Sequence, residues 1–303
     1  MAEVLITEVV LRDGLQDEDV VVPTEEKVRL ARGLVDAGLT ALEVGSFVNE
    51  HKVPQMADTD TVLRTLAGTP ATVHTLVFNE RGARRAVAAG ARSVRLVVSA
   101  SDGHSRANAG VDTAAALDRL AGSVSVLADA DVAVEACIAT AFVCPFDGVT
   151  PPERVVGVAD RLVRLGVRVL HLADTIGAAS PGHVAATLTA VRERHPDVPV
   201  GLHLHNTYGM ALASAYRALQ LGVRRFDAAL GGIGGCPFAP GAAGNVATDD
   251  LVNLCHQEGF DTGIDGAKLA ALRDDVAAAV GHRLDSALAS VPAVPAAPRT
   301  AAY

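Results

Sequence analysis

Two histidines separated by one residue, His203 and His205, have the spacing in this sequence that most directly suggests chemistry. They end an apolar run that begins at Val200 and predicts a β-strand, and residues two apart on a strand point to the same face. Two imidazoles on one face, together with a carboxylate from another strand, form a mixed nitrogen and oxygen site for a divalent cation. An isolated pair of this spacing is also compatible with two hydrogen-bonded core histidines. Asp13 and Asn245, which follow other predicted strands, favour the metal site.

Arg12 and Asp13 are adjacent charges at the end of the first apolar run, where burial is costly unless both charges are used. An arginine beside a metal-bound carboxylate can polarise a substrate carbonyl and stabilise an enolate, whereas the alternative is a structural ion pair. The candidate ligands include no thiolate. We therefore expect Mg²⁺ or Mn²⁺, with Co²⁺ or Zn²⁺ as alternatives.

Polar residues also follow other predicted strands. Cys236 lies in a glycine-rich loop, and a thiol delivered by such a loop can act as a general acid or base. Its alternative is an ordinary small buried residue. Asp174 and Glu43 are candidates for acid–base catalysis or for orienting the metal ligands.

These residues need a scaffold that brings distant segments together, and the sequence repeats a short apolar run followed by an amphipathic stretch eight times. The predicted strands are residues 5–11, 41–44, 72–77, 93–98, 132–139, 168–173, 200–205 and 225–229. The predicted helices are residues 25–37, 60–66, 80–89, 113–130, 152–165, 181–194, 209–221 and 248–258. Eight alternations with apolar strands predict a parallel sheet that is buried on both faces.

The fold class expected is therefore α/β, as a single-domain (β/α)₈ TIM barrel. Eight units favour a closed barrel over an open doubly wound sheet, and no GxGxxG motif follows the first strand. In such barrels, chemistry is carried out at the C-terminal ends of the strands, where the candidate residues fall. The catalytic domain is expected to span residues 1–289 and to include an additional C-terminal helix at 267–289. Residues 290–303 are expected to be a disordered Pro/Ala-rich tail.

The composition argues against several partners. The chain has 303 residues, with 26 Lys plus Arg against 35 Asp plus Glu, which gives a formal net charge of −9. Nucleic acid and anionic membranes are therefore not expected partners. The sequence shows no secretion signal, no apolar run of membrane-spanning length and no CxxC pair among its four cysteines. A cytoplasmic location with reduced thiols is expected.

These motifs, in this order, resemble the 3-hydroxy-3-methylglutaryl-CoA (HMG-CoA) lyases, a family of metal-dependent lyases. The resemblance extends from about Glu8 to about Ala289, nearly the whole chain. It is carried by residues 11–16 (Leu-Arg-Asp-Gly-Leu-Gln), 42–48, 53–58, 173–177, 203–209 and 234–238, followed by Gly244 and Asn245. The Gly-Gly-Cys-Pro sequence at 234–237 is the most specific of these segments.

Carried over residue by residue, the resemblance implies three kinds of role. The implied metal ligands are Asp13, His203, His205 and Asn245. The implied catalytic and supporting residues are Arg12, Cys236, Asp174 and Glu43. The residues expected to bind the substrate, a small acyl-CoA or hydroxy acid, are Gln16 and Ser46. The implied reaction deprotonates a tertiary C3 hydroxyl and breaks the C2–C3 bond, giving acetyl-CoA and, from HMG-CoA, acetoacetate. A homodimer or larger homo-oligomer is also implied.

The departures from the family pattern fall among the residues expected near the substrate. Asp19 stands where the family usually has a lysine that helps to hold CoA. Gly45, Ala139 and Val143 replace a threonine, a serine and a glycine. We therefore expect the family chemistry with an altered acyl pocket, in which the small residues Gly45 and Ala139 admit a bulkier acyl group.

Three other functions compete with this interpretation. A condensing synthase of the same superfamily usually has glutamate where Leu15 stands and carries a C-terminal regulatory region. An aldolase acting on a CoA-free hydroxy acid is compatible with the departures on the CoA side. A metal-binding barrel without catalytic activity is disfavoured, because Arg12 and Cys236 accompany the complete set of metal ligands.

Overall fold

Eight parallel strands close into a barrel, which confirms the predicted fold class. The computed structural model describes residues 3–235 and 244–291. Its strands are β1 (Leu5–Glu8), β2 (Ala41–Ser46), β3 (Thr72–Val77), β4 (Ser93–Ser99), β5 (Ala133–Ala139), β6 (Val143–Cys144), β7 (Gly148–Val149), β8 (Val169–Asp174), β9 (Val200–Leu204) and β10 (Arg225–Ala228). Around the barrel, β1 to β5 are followed by β8, β9 and β10, which pairs with β1, while β6 and β7 form a separate antiparallel hairpin.

Helices surround the barrel in the described part of the chain. They are α1 (Thr24–Asp36), α2 (Thr59–Thr65), α3 (Glu80–Ala88), α4 (Asp102–Ala109), α5 (Thr113–Asp129), α6 (Pro152–Arg164), α7 (Pro181–Arg194), α8 (Ala211–Gln220), α9 (Thr248–Gln257) and α10 (Gly266–Val280). Asn79, Asp112 and Ser180 accept hydrogen bonds from first-turn amides and so begin α3, α5 and α7. None of the helices within residues 3–235 and 244–291 combines the length and apolarity that a membrane-spanning segment requires.

The first strand is shorter than the sequence predicts. β1 ends at Glu8, and Val10–Gly14 forms a single π-helical turn. Single π-helical turns are frequent at functional sites. Here the turn lets the adjacent residues Arg12 and Asp13 both contact buried groups inside the barrel mouth, which strict strand alternation would prevent.

Other differences also have local causes. Helix α4 and the β6–β7 hairpin were not predicted, because a short polar helix and two-residue strands leave no hydrophobic period to detect. The C-terminal helix α10 ends at Val280 rather than at residue 289, because Gly281 adopts a left-handed conformation with φ of 77°. Cys236 and residues 292–303, which form most of the expected tail, lie outside the described residues.

Glu8 joins three segments that lead to the barrel mouth. Its carboxyl group accepts hydrogen bonds from Val10 N at 2.9 Å, Leu230 N at 2.9 Å and Thr248 Oγ1 at 2.6 Å. These donors lie in the π-helical turn, in the loop after β10 and at the start of α9. Burial raises the pKa of Glu8 from its ordinary value of 4.5 to about 7. One side chain therefore fixes three backbone segments that carry candidate site residues.

Replacing Glu8 with glutamine is expected to change how stability depends on pH. Because the folded-state pKa of about 7 exceeds the ordinary value of 4.5, the folded state retains a proton that the unfolded chain releases. The stability contributed by protonated Glu8 is complete below the unfolded-state pKa and is lost as pH rises through the folded-state pKa. The wild type should therefore lose stability relative to Glu8→Gln as pH rises from 4.5 to about 7, as measured by urea unfolding. A difference that does not change with pH would contradict this assignment.

Candidate metal centre and active site

Three of the four predicted metal ligands converge at the C-terminal mouth of the barrel. One candidate ligand atom from each of Asp13, His203 and His205 lies within 4.8 Å of the other two. Oδ2 of Asp13 is 3.5 Å from Nε2 of His205 and 3.7 Å from Nε2 of His203, and the two Nε2 atoms are 3.2 Å apart. All three side chains are almost completely buried. The structure thus brings the carboxylate and both imidazoles to one point.

Asn245, the fourth predicted ligand, lies beside this cluster. It forms an isolated antiparallel bridge with His205, and its Nδ2 donates to Asp13 Oδ2 at 2.7 Å and to the carbonyl of Ile233 at 3.2 Å. Its Oδ1 is buried and accepts no hydrogen bond within residues 3–235 and 244–291. A buried amide oxygen without a donor is costly unless something else binds it. The carboxylate, two imidazole nitrogens and this oxygen form a donor set that suits a divalent cation.

His203 is oriented by Asp227, a carboxylate that belongs to none of the sequence motifs described above. Nδ1 of His203 lies 3.3 Å from Oδ2 of Asp227, which is completely buried. Burial raises the pKa of Asp227, but Arg95 and His171 lower it well below its ordinary range, so the group is ionised. An ionised acceptor fixes the proton of His203 on Nδ1 and leaves the lone pair of Nε2 directed at the cluster.

Arg12 lies between two acidic side chains at the same mouth. Its Nε donates to Glu43 Oε1 and its Nη1 donates to Asp13 Oδ1. Burial lowers the pKa of Arg12, whereas Asp13 and Glu43 raise it above its ordinary value, so the guanidinium stays charged. Burial likewise raises the pKa of Asp13, but Arg12 and the two histidines lower it well below its ordinary range. The charged guanidinium of Arg12 therefore lies beside the ionised carboxylate of Asp13, as the sequence predicts.

The remaining predicted residues occupy different environments. Asp174 is buried at the end of β8, and its oxygens accept from the amides of Ala178 at 3.1 Å and Ala179 at 3.0 Å. Burial raises the pKa of Asp174, a direction of shift that is common among carboxyl groups that transfer protons. Ser46 is buried, its Oγ has no hydrogen-bond partner among the described residues, and its contact with substrate stays a prediction. Gln16 is half-buried beside the π-helical turn, and the role of Cys236 stays a prediction.

The expectation that Gly45 enlarges the acyl pocket is wrong. A Cβ atom at Gly45 would lie 2.5 Å from Oγ1 and 2.8 Å from Cγ2 of Thr59, so the space beside this glycine is filled by α2. Ala139 is buried at the end of β5, where its register neighbour on β4 is Ser99. Its effect on the pocket stays a prediction, as do those of Asp19, which is exposed, and Val143, which lies in the β6–β7 hairpin.

A set of charged side chains that the sequence motifs do not predict lies in the barrel interior below the cluster. They are Arg95, Glu135, His171 and Asp227. A signal was present, because Arg95 lies between Val94 and Leu96, and Asp227 lies between Phe226 and Ala228. A charge in a strand that is buried on both faces must find a partner on another strand.

An Asp227→Asn substitution is expected to weaken Mn²⁺ binding about 10- to 100-fold, because His203 loses the acceptor that fixes its ring. Titration of the metal-free protein followed by calorimetry would measure the effect. Asp58→Asn is the matched control, since Asp58 pairs with Lys27 at 2.6 Å and contacts none of the candidate ligands. Equal Mn²⁺ affinity in Asp227→Asn and Asp58→Asn would show that Asp227 does not orient the site.

Comparison with known proteins agrees with this geometry. The profile of the HMGL-like family matches residues 3–276. The chain is 45% identical to the (R)-citramalyl-CoA lyase of Chloroflexus aurantiacus, over 94% of this chain and 93% of that protein. It is 39% identical to the mitochondrial hydroxymethylglutaryl-CoA lyase of Mus musculus, over 95% of this chain and 89% of that protein.

A solved structure shares the whole architecture. The HMG-CoA lyase of Acinetobacter baumannii, in complex with coenzyme A and 3-methylmalate, aligns with a TM-score of 0.90 and 37% identity. The alignment covers 97% of this chain and 98% of that one. The HMGL-like family is in general metal-dependent, in agreement with the cluster of Asp13, His203 and His205. The predicted carbon–carbon lyase class is confirmed, and the chain belongs to the HMGL-like family, that of the HMG-CoA lyases.

Proposed function

We propose that the protein is a divalent-metal-dependent lyase that cleaves a 3-hydroxy-3-substituted acyl-CoA thioester into acetyl-CoA and an oxo acid. The main support for this proposal is that Asp13, His203 and His205 converge with Asn245 at the barrel mouth. The first candidate substrate is (R)-citramalyl-CoA, because the relative named for it is 45% identical and the mouse HMG-CoA lyase is 39% identical at similar coverage. HMG-CoA is the second candidate. Mg²⁺ or Mn²⁺ is the proposed ion, and a cytoplasmic homodimer or larger homo-oligomer is the proposed form.

The two candidates undergo the same bond changes. Each has a tertiary C3 carbon that bears a hydroxyl and a methyl group, and a C2 methylene next to the thioester. Removal of the hydroxyl proton lets C3 become a carbonyl while the electron pair of the C2–C3 bond passes to the thioester as an enolate. Protonation at C2 then gives acetyl-CoA. The other product is pyruvate from citramalyl-CoA and acetoacetate from HMG-CoA.

The residues of the chain divide this work. A bound divalent cation supplies Lewis-acid chemistry, which lowers the pKa of a coordinated hydroxyl and stabilises negative charge on oxygen. Arg12, buried and held by Glu43, is proposed to donate to the thioester oxygen as the enolate forms. Asp174 is proposed to receive the hydroxyl proton, and Cys236 to protonate C2. Gln16 and Ser46 are proposed to contact the substrate.

A cavity at the same end of the barrel supports a CoA thioester over a free acid. It has a volume of about 830 Å³ and lies at the C-terminal ends of β2, β3 and β4, against α3, α4 and α5. Lys52, Arg81 and Arg119 line it, and Glu50 is the single acidic residue in the lining. In a chain whose net charge is −9, such an excess of cations is a local feature suited to phosphate groups. The replacement of the family lysine by Asp19 therefore does not exclude CoA.

The proposed activity is tested by assaying metal-loaded protein with (R)-citramalyl-CoA, HMG-CoA and free citramalate. We expect acetyl-CoA and pyruvate from citramalyl-CoA at a higher kcat/KM than acetyl-CoA and acetoacetate from HMG-CoA. Free citramalate should not react, and removal of the metal with EDTA should abolish turnover until Mn²⁺ is restored. Preference for HMG-CoA would correct the acyl group, whereas no acetyl-CoA from either thioester would refute the proposal.

Removing positive charge from the cavity should weaken substrate binding without slowing the chemistry. The double variant Arg81→Ala/Arg119→Ala is expected to raise KM for the thioester about tenfold with little change in kcat, because phosphate contacts stabilise substrate and transition state equally. Arg84→Ala is the control, since Arg84 lies on the same helix as Arg81 but pairs with Glu80 and does not line the cavity. An unchanged KM in the double variant would place the phosphates elsewhere.

A further inference from the structure

A layer of charged side chains fills the barrel below the candidate metal centre. We call it the interior charge layer and define it as Glu43, Arg95, Glu135, His171 and Asp227. Each comes from a different barrel strand, namely β2, β4, β5, β8 and β10. Of the five side chains, Glu135 is the most accessible, with 13% of its side chain exposed. Barrel interiors are usually filled by branched apolar residues, so this layer needs a separate explanation.

Arg95 is the centre of this layer. Its Nη1 donates to Asp227 Oδ2 at 2.7 Å and lies 3.2 Å from Glu43 Oε2. Its Nη2 lies 3.1 Å from Glu135 Oε2 and 3.1 Å from His171 Nε2. A planar guanidinium can hold several acceptors in fixed directions at once, which the point charge of a lysine cannot. Arg95 therefore donates hydrogen bonds to the carboxylates of Asp227 and Glu135 and forms an ion pair with that of Glu43, and the three acids come from different strands.

Two of these carboxylates also contact the candidate active site. Asp227 Oδ2 lies 3.3 Å from Nδ1 of His203, and Glu43 Oε1 accepts from Nε of Arg12. Arg95 is thus connected through Asp227 to the candidate metal ligand His203, and through Glu43 to Arg12, the candidate enolate-stabilising residue. We propose that Arg95 is a positioning residue that sets the orientation of His203 through Asp227 and of Arg12 through Glu43. The inference rests on the proposed function in assigning those two roles.

Stability alone does not account for the layer. Replacing buried ion pairs with well-packed apolar residues is often neutral or stabilising, so a barrel of this kind does not require charges in its interior. The chain also leaves space for them. A Cβ atom at Gly201 on β9 would lie 3.0 Å from Nδ1 of His171, closer than ordinary contacts allow. Burying the layer requires desolvation of its charges and a glycine at position 201 of β9. Its contacts with His203 and Arg12 both lead to the candidate site.

An Arg95→Met substitution separates positioning from simple charge balance. Methionine keeps an unbranched apolar stem but cannot hold Asp227 or Glu43. Positioning predicts that the Mn²⁺ affinity of the metal-free protein falls about tenfold, as for other groups that orient metal ligands. It also predicts that kcat at saturating Mn²⁺ falls at least about tenfold, because Arg95 no longer holds Glu43, the residue that accepts from Arg12. Unchanged or tighter Mn²⁺ binding would show that Arg95 is only a counter-charge and would overturn the proposal.

Lys27→Met is the matched structural control. Lys27 is as buried as Arg95 and pairs with Asp58, but it contacts no residue of the site. It should lower the midpoint of thermal unfolding without changing Mn²⁺ affinity. In the double variant Arg95→Met/Asp227→Asn, the loss of Mn²⁺ affinity should be clearly less than the product of the two single losses. Fully multiplicative losses would mean that Arg95 does not act through Asp227.

Arg95→Lys keeps the test decisive if Arg95→Met does not fold. A lysine preserves the charge but cannot direct two carboxylates, so Mn²⁺ affinity or kcat should still fall at least about fivefold. If both values stay at the wild-type level, the proposal fails. The Mn²⁺ titration needs no substrate, so it also distinguishes the two proposals. Arg95-dependent metal binding without thioester cleavage would refute the proposed function alone, and cleavage that does not depend on Arg95 would refute this inference alone.

Discussion

The Nε2 atoms of His203 and His205 lie 3.2 Å apart, and the buried Oδ2 of Asp13 lies 3.5 Å from the Nε2 atom of His205. These groups, and the charges connected to them, determine the electrostatics of the barrel interior. The connected interior charges comprise two guanidinium groups, from Arg12 and Arg95, and four carboxylates, from Asp13, Glu43, Glu135 and Asp227, and hence a formal charge of −2 with neutral histidines. Burying uncompensated charge is costly. A bound divalent cation would bring this sum to zero, which agrees with the donor set of the candidate site.

The topology explains how this set of groups is assembled. Parallel strands deliver their C-terminal ends to one mouth, so His203 on β9 and the Asn245 segment after β10 meet Asp13 from the turn after β1. Glu8 then ties that turn to the loop after β10 and to α9. The positions of the ligands are therefore set by regular elements and by a backbone clamp rather than by the ligands alone. This is the kind of preorganisation that metal-assisted catalysis needs.

The sequence was sufficient for features that depend on local periodicity. The eight repeats, the shared face of His203 and His205, and the placement of Asp13 at a strand end all follow from strand and helix periods. The π-helical turn at Val10–Gly14 did not, because its first residues, Val10 and Leu11, continue the apolar run of β1 and so look like more strand. The contact between Arg95 and Asp227 could not be predicted from the sequence for a different reason. Their meaning depends on contacts between β4 and β10, which lie on different sides of the barrel.

The same distinction applies to the substrate side. The sequence predicts that Gly45 enlarges the acyl pocket, but its neighbour in the structure is Thr59 of α2. Strand alternation alone cannot identify this neighbour, because it lies on a helix. The basic cavity is built from loops and helices after three strands, and its charges are scattered over almost seventy residues of sequence, from Lys52 to Arg119. Substrate-binding surfaces of this kind are properties of the fold, and they become visible only when the elements are placed.

The central claim, that two histidines and an aspartate bind one cation, is tested most directly by pulsed electron paramagnetic resonance of the Mn²⁺-loaded protein with ¹⁵N-labelled histidine. Two directly bound histidine nitrogens should be coupled to the electron spin, and one coupling should disappear in His205→Gln with the other retained. A Mn²⁺ spectrum without histidine coupling, or one that His205→Gln leaves unchanged, would contradict the account.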